Sequence, residues 1–146
     1  MERSIIHTGS KGKLAESLVL SELMKNGFHV AIPFGEYRYD FIVEHEGTCH
    51  KIQVKYVGHP SKRSTIPVLL HSFSRKGRVR YAACDVDFLI VYYQPETSFY
   101  IIPFKDVAGK SAVNLRLKAA GNKQNCGIIN ASIYKDRWDL LKEPAF

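Results

Sequence analysis

The chain has 146 residues, of which 45% are apolar and 24% are charged, so its length and composition fit one globular domain and exclude a disordered or fibrous chain. Lysine and arginine outnumber aspartate and glutamate by 21 to 14, and a net charge of +7 favours a polyanionic partner, nucleic acid before membrane. No apolar run approaches the length that crosses a bilayer, and the first residues lack an apolar signal region, so we expect a cytoplasmic protein with no membrane partner.

The cysteines point to the same compartment. Cys49, Cys84 and Cys126 are odd in number and widely spaced, and no Cys-x-x-Cys occurs. This pattern predicts free thiols in a reducing cytoplasm and argues against a structural zinc site. Because there is also no internal repeat, low-complexity tract or linker, we expect a single domain over residues 1–146.

The first predicted element is a helix over residues 10–26. Ser10 is a suitable N-cap, and Asn26 and Gly27 end the apolar pattern. The apolar positions at helical spacing are Leu14, Leu18, Leu20, Leu23 and Met24. We expect this helix to bury one face and to carry Glu16.

Strands follow the helix. Residues 28–32 predict a short strand and residues 33–36 a turn. Two further strand-like runs, residues 38–45 and 50–57, are joined by a polar turn that contains glycine, which predicts a β-hairpin. We expect this hairpin to lie near the centre of the fold.

The hairpin gathers polar side chains. Residues two apart share a face of a strand, so Gln53 and Lys55 should point the same way, and the hairpin would bring Asp40 towards Lys55. With Glu16 on the preceding helix, this gives an acid on a helix, an acid opening a strand and Gln-x-Lys on the next strand. Such a layout suits a divalent metal held beside a phosphate.

The middle of the chain predicts more strands. Residues 58–80 read as one or two strands with a basic turn at SRKGRVR. Residues 87–93 and 99–103 predict two strands around the turn QPETS. The first contains the apolar run FLIVYY, which is typical of a central strand with both faces covered.

The last third has weaker patterns. A helical turn is expected at residues 105–108, a strand at 113–117, a loop at 119–127 and a last helix at 134–142. The resulting fold class is α/β, with a mixed central β-sheet flanked by helices.

The ordered set of Glu16, Asp40, Gln53 and Lys55, followed by the strands DVDFLIVYY and FYIIP, resembles the PD-(D/E)XK nuclease superfamily. Within it, the chain is most similar to the group I intron-encoded homing endonucleases of cyanobacteria. The resemblance extends from about residue 11 to residue 138. It implies a restriction-endonuclease-like core, intron homing, and a small single-domain enzyme that acts as a homotetramer.

Two positions depart from the superfamily pattern. Gln53 stands where glutamate or aspartate is usual, and Gly35 and Glu36 stand where Pro-Asp might be sought. The homing enzymes that the chain resembles also use glutamine at this place. A glutamine removes one negative charge, so it should weaken metal binding and reduce repulsion of the phosphate.

The chemistry follows from the residue types. Phosphodiester cleavage needs a nucleophilic water, charge compensation in the transition state and help for the departing oxygen. Mg²⁺ prefers oxygen ligands and keeps several waters, so one or two carboxylates suffice, and Mn²⁺ could substitute. Asp40 is the first expected ligand, joined by the Gln53 amide oxygen, the Val54 carbonyl and Glu16 directly or through water. Lys55 would orient or help deprotonate the water and stabilise charge on the phosphate.

Double-stranded DNA is the expected partner. The candidate contacts are Arg75, Lys76, Arg78 and Arg80 in the basic stretch, and Lys11 and Lys13 at the start of the helix. A two-stranded ribbon fits the major groove, and a helix N-terminus favours phosphate. The alternative is a solvated loop with no partner.

Three functions are consistent with these residues. The preferred one is an Mg²⁺-dependent, sequence-specific homing endonuclease that makes a double-strand break as a dimer or tetramer, because one small domain carries one active site. The second is a junction resolvase or a restriction-like nuclease. The third is a non-catalytic DNA-binding protein on a degenerate nuclease fold.

Overall fold

The computed structural model describes residues 8–61, 64–118 and 128–144. This part of the chain contains one α-helix and ten strands. The strands form three sheets, with the strand orders β1-β2-β3-β7-β8, β10-β9-β4 and β5-β6. The bounds are α1 Thr8–Lys25, β1 His29–Ala31, β2 Phe41–His45, β3 Thr48–Val57, β4 Thr65–Leu69, β5 His71–Ser74, β6 Gly77–Arg80, β7 Phe88–Tyr93, β8 Ser98–Pro103, β9 Ala112–Arg116 and β10 Ile129–Asn130. Single 3₁₀ turns span Gln94–Glu96, Phe104–Asp106, Ala131–Ile133 and Trp138–Lys142.

The predicted hairpin lies inside the five-stranded sheet. β2 and β3 pair antiparallel, with Phe41 opposite Ile52, while β3 and β7 pair parallel, with Lys55 opposite Val91. All six residues of β7 are buried, because β3 and β8 cover its edges and packed layers cover its faces. The expectations of a central hairpin and a central FLIVYY strand are both confirmed.

A hydrophobic core lies on each face of this sheet. On one face α1 and the last 3₁₀ turn pack through Leu23 and Trp138 against Ile52 and Ile90. On the other face the three-stranded sheet packs through Ile66 and other side chains. The mixed α/β fold class is confirmed, with a second sheet rather than a second α-helix covering the far face in the described parts of the chain.

The helix differs in detail from its predicted form. It begins at Thr8, two residues before the expected cap. Its fully buried stripe is Ala15, Val19 and Leu23, which are four residues apart, and Met24 is 65% exposed. The expectation that Met24 belongs to the buried face was therefore wrong, because the stripe through Leu23 faces the sheet and the next residue is turned about 100° away from it around the helix.

The described residues between 58 and 80 form three strands where one or two were expected. β4 includes Pro67, which an edge strand tolerates because its missing N–H interrupts no central ladder. β5 and β6 form a separate antiparallel hairpin, with Arg78 opposite Phe73 and Arg80 opposite His71. The predicted basic turn is the tip of this hairpin.

The expected helix at residues 134–142 was wrong. Ile101 donates its N–H to the Tyr134 carbonyl, and Asp136 donates its N–H to the Phe99 carbonyl, so this segment lies extended along β8. Asp136 has a φ of 52°, which an α-helix does not allow. A single 3₁₀ turn then follows at Trp138–Lys142.

The remaining expectations divide by location. The strand at 113–117 is confirmed as β9, and the helical turn near 105 is the 3₁₀ turn Phe104–Asp106. Residues 119–127, with Cys126, lie outside the described residues. Cys49 and Cys84 are free thiols and exposed. Among the helices of the described residues, none is long and apolar enough to span a membrane.

Candidate active site

The position of Asp40 follows from the hairpin. Asp40 precedes β2 by one residue, and its N–H donates to the Ile52 carbonyl at 2.7 Å. Its carboxylate Oδ2 accepts the N–H of Val54 at 2.9 Å. The side chain thus takes the place of the next backbone partner of β3, which fixes the carboxylate beside Gln53 and Lys55.

A second carboxyl comes from the helix. Glu16 is hydrogen-bonded to Asp40, and Lys13 forms an ion pair with Glu16 at 2.9 Å. The pKa of Asp40 is raised to about 7, chiefly by burial and also by the hydrogen bond and charge of Glu16, while the N–H of Val54 and the charge of Lys13 oppose the rise. The two carboxyls that the sequence placed together are in contact.

Gln53 and Lys55 project from the same face of β3 into one cleft, as predicted. The cleft has a volume of about 650 Å³. Besides these two residues, its lining includes Lys11, Tyr56, His59, His71, Ser72 and Tyr81. The cleft therefore joins the polar residues of β3 to the start of α1 and to β5.

Lys55 lies against a tyrosine that the sequence did not single out. Its Nζ donates to the Tyr81 hydroxyl oxygen at 2.9 Å and lies 4.8 Å from the centre of the Tyr81 ring. Burial lowers the pKa of Lys55, an effect that the Asp40 charge opposes. Burial raises the pKa of Tyr81 to about 12, so its hydroxyl stays neutral and accepts from Lys55. The only sequence signal for Tyr81 is its place directly after the basic strand RVR.

The donor atoms fit a hard divalent cation. Asp40 and Glu16 offer carboxylate oxygens and Gln53 an amide oxygen. The carbonyl of Val54 points to the same edge of β3 as its N–H, beside Asp40. Gln53 Nε2 lies 3.4 Å from this carbonyl oxygen, so the amide and the carbonyl are neighbours. A cation there would compensate two contacting carboxyls, and oxygen-only ligands match Mg²⁺.

Softer metals fit less well. In the described ranges no group of three or more His, Cys, Asp or Glu side chains could hold a metal ion. Nitrogen and sulfur donors are therefore missing from the site that Asp40 and Glu16 form, and these are the donors that zinc sites use.

The predicted basic contacts fall into two groups. Lys11 lines the cleft, and Lys13, whose side chain is 82% exposed, forms an ion pair with Glu16, the helix carboxylate beside Asp40. The four residues Arg75, Lys76, Arg78 and Arg80 are exposed on the β5–β6 hairpin. Because His71 and Ser72 of β5 line the cleft, this basic hairpin rises from the rim of the cleft.

Comparison with known proteins identifies the family. The sequence model of the PD-(D/E)XK endonuclease matches residues 6–137. The fold is similar to that of the bacterial homing endonuclease I-Ssp6803I, with a TM-score of 0.75 and 24% identity over 92% of this chain and 93% of that chain. Hjc, a Holliday junction resolvase from Archaeoglobus fulgidus, has a TM-score of 0.49 and 20% identity over 73% of this chain and 84% of that chain. No curated protein sequence matches the chain.

The match covers the helix, the hairpin and the strands that bring Glu16, Asp40, Gln53 and Lys55 together, and it ends at residue 137, directly before the last 3₁₀ turn. The chain therefore belongs to the PD-(D/E)XK endonuclease family.

Proposed function

We propose that this protein is a sequence-specific DNA endonuclease of the homing type, which hydrolyses phosphodiester bonds with Mg²⁺, or Mn²⁺ in its place, and makes a double-strand break. The observation that carries the proposal is the convergence of Asp40, Glu16, Gln53 and Lys55 beside a basic hairpin. The likeness in fold to a homing endonuclease supports the same proposal.

Each side chain has a proposed role. The metal ion would be held by Asp40, Glu16, Gln53 and the Val54 carbonyl. When bound, the metal supplies a more acidic water and positive charge beside the phosphate. Lys55 would orient the attacking water and stabilise the negative charge that develops on the phosphate oxygens, since it lines the cleft and its ammonium interacts with the charge of Asp40.

The neutral Gln53 suits this arrangement. A glutamate in its place would put a third carboxylate beside Asp40 and Glu16, and the phosphate of the substrate carries further negative charge. The amide keeps an oxygen ligand and lowers that repulsion. The consequence is a site that holds its metal more weakly in the free protein than a site with three carboxylates.

The DNA contacts are proposed for the basic residues around the cleft. Arg78 and Arg80 share a face of β6, a spacing that suits guanine edges or successive phosphates. The tip residues Arg75 and Lys76 extend this surface. Lys11 and Lys13 would contact the phosphates next to the cleaved bond.

We further propose that residues 1–146 form one domain with one active site, so that two strand cuts require at least a dimer, and a long target is best covered by a tetramer. We place the enzyme in the cytoplasm, where exposed thiols such as Cys49 and Cys84 stay reduced.

The test is cleavage of a DNA library that spans the source genome, with Mg²⁺ or with EDTA. Wild-type protein should give breaks at one long sequence, and Asp40→Ala and Lys55→Ala should give none. Asp106→Ala is the control, because this carboxylate contacts Tyr134 and lies apart from the cleft. Cleavage of branched DNA alone in a parallel assay would replace the homing proposal with a resolvase. DNA binding without any cleavage would leave a non-catalytic DNA-binding protein.

A further inference from the structure

The segment between β1 and β2 exposes large apolar side chains. Ile32, Phe34 and Tyr37 are 70%, 102% and 60% exposed. We call residues 32–37 the aromatic loop. Its three side chains make up half of the exposed large hydrophobic residues in the described parts of the chain, the others being Met24, Leu69 and Ile133. Exposing several large apolar side chains to water is unfavourable in free energy, and such groups mark a contact surface.

The aromatic loop leaves the sheet at the active-site end. The β1–β2 ladder ends at the pair Ala31 and Ile42, so the chain departs from the sheet after Ala31 and returns just before β2 begins. Asp40 lies in this return segment, three residues after Tyr37. The loop and the proposed metal ligand therefore share one end of the sheet.

The base of the loop is held firmly while its tip is exposed. Arg38 donates to the Arg80 carbonyl at 3.1 Å and forms an ion pair with Asp85 at 3.2 Å. Tyr37 stacks on Tyr39, with ring centres 5.3 Å apart and an interplanar angle of 22°. Tyr39 in turn packs against the core on the side of the three-stranded sheet. These contacts fix the loop relative to the basic hairpin.

The tip is shaped by its glycine. Gly35 has a φ of +116°, a conformation that side chains other than glycine rarely adopt, and the chain bends at residues 34–35. This bend leaves Phe34 at the apex with its whole side chain in solvent. An anchored loop that ends in one fully exposed phenylalanine has the form of a wedge.

The charges around the loop favour DNA as its occupant. The hydrogen bond of Arg38 connects the loop directly to β6, the strand that carries Arg78 and Arg80. The Nζ of Lys51 lies 5.9 Å from the centre of the Tyr39 ring. The acids nearby are Glu36 and Asp85, and the second of these is paired with Arg38. A second copy of a chain with charge +7 would bring like charges to this surface, whereas DNA brings phosphates.

We propose that the aromatic loop is a DNA wedge, in which Phe34 enters between two base pairs next to the phosphate that faces Asp40, with Ile32 and Tyr37 against the sugars. This inference rests on the proposed endonuclease function and names how that site distorts its substrate. Apolar side chains that enter a base step unstack it and kink the duplex. In the complex with DNA, the Phe34 ring would be buried between bases and not in the protein core.

The experiment measures unstacking without requiring cleavage. The probe is a duplex with 2-aminopurine placed in turn at each base next to the break mapped with the genomic library, or a random-sequence duplex of the same length if no break is found. Binding is followed in EDTA by anisotropy, and unstacking by 2-aminopurine fluorescence. The variants are Phe34→Ala, Phe34→Trp and, as a matched control, Met24→Ala, which removes another exposed hydrophobic side chain from α1.

Wild type, Phe34→Trp and Met24→Ala should all raise the fluorescence at one or two adjacent positions. Phe34→Ala should abolish that rise and weaken binding by roughly 5- to 100-fold. Its molar mass in light scattering and its melting temperature should match those of wild type, since the side chain contacts no core residue.

Three results would overturn the wedge. One is an undiminished fluorescence rise in Phe34→Ala. Another is a smaller molar mass for Phe34→Ala, which would make the loop an interface between copies of the chain. The third is a wild-type protein that binds no duplex. The endonuclease proposal fails on different evidence, namely DNA binding by the wild-type protein without cleavage of any substrate in Mg²⁺.

Discussion

Lys55 Nζ and the Tyr81 hydroxyl oxygen are 2.9 Å apart, and this hydrogen bond joins the central strand β3 to the residue that follows β6. Tyr81→Phe removes the acceptor and keeps the ring beneath the ammonium. We expect the single-turnover cleavage rate to fall roughly tenfold, because a hydrogen bond to a charged group is lost and the ammonium is less well oriented. DNA affinity in EDTA should be unchanged.

The control for this change is Tyr134→Phe. The Tyr134 hydroxyl donates to Asp106 at 2.9 Å outside the cleft, so its loss should lower stability and leave cleavage as it is. If Tyr81→Phe cleaved DNA as fast as the wild type, the hydrogen bond from Lys55 to Tyr81 would not be needed to orient the Lys55 ammonium.

The contact between Asp40 and Glu16 makes stability depend on pH. Burial raises the pKa of Asp40 from 3.8 to about 7, so between these values the folded protein binds more protons than the unfolded chain. The free energy of unfolding of the metal-free protein should therefore fall as pH rises through this range. Asp40→Asn should remove that loss and stabilise the metal-free protein at pH 8 by about 1 kcal/mol, after a discount for partial exposure.

Urea unfolding at several pH values in EDTA measures this effect. Asp139→Asn is a control of opposite sign, because Arg137 lowers the pKa of Asp139, so its charge stabilises the fold at neutral pH. If Asp40→Asn and the wild type had the same free energy of unfolding as each other at both pH 4 and pH 8, the proposed burial of the Asp40 charge would be contradicted.

Metal binding should respond to the charge at position 53. Gln53→Glu adds a carboxylate beside Asp40, so we expect Mg²⁺ to bind roughly tenfold more tightly by calorimetry, while DNA binds more weakly in EDTA. Asp40→Ala should abolish the heat of binding. In wild type, Mg²⁺ affinity should fall as pH drops below about 7, because binding requires Asp40 to be ionised.

The matched control is Gln94→Glu, which adds the same charge in the 3₁₀ turn after β7, away from the cleft residues. Equal increases in Mg²⁺ affinity for both variants would attribute the gain to net charge and would remove Gln53 from the metal site.

The basic hairpin should contribute to affinity through phosphates or guanines. Arg78→Ala should weaken binding to the target duplex, and if Arg78 contacts a phosphate, the slope of log K against log salt should become shallower by about 0.9. A larger loss on the target than on random DNA would instead indicate base recognition. Lys25→Ala removes an exposed cation at the far end of α1 and should change neither quantity.

The parts of the fold that could be predicted are those in which local pattern and burial agree. The strand FLIVYY is apolar throughout because it is covered on both faces, and the Gln-x-Lys pair shares a face because strands alternate. Asp40 was identified because the predicted hairpin brings it towards Lys55, and in the structure its carboxylate contacts the Val54 N–H and Glu16. The positions of these residues could be predicted because they depend mainly on the residues next to them in the sequence.

What could not be predicted depends on contacts between distant segments. Tyr81 meets Lys55 from 26 residues away, and no local pattern marks it. The segment near Tyr134 contains helix-forming residues, yet pairing with β8 holds it extended. In the same way, the anchoring of the aromatic loop by Arg38 depends on the Arg80 carbonyl, 42 residues away, which the sequence around the loop does not reveal.

The parallel pairing of β3 with β7 also sets the order in which a newly made chain can complete its active site. The strand that carries Gln53 and Lys55 gains its second neighbour only after residue 93 has been synthesised, and Trp138 and Leu141 join the core beneath α1 later still. Such long-range pairing forms late in folding. The site around Gln53 and Lys55 is therefore completed only after these later residues have left the ribosome and have paired with β3 or packed beneath α1.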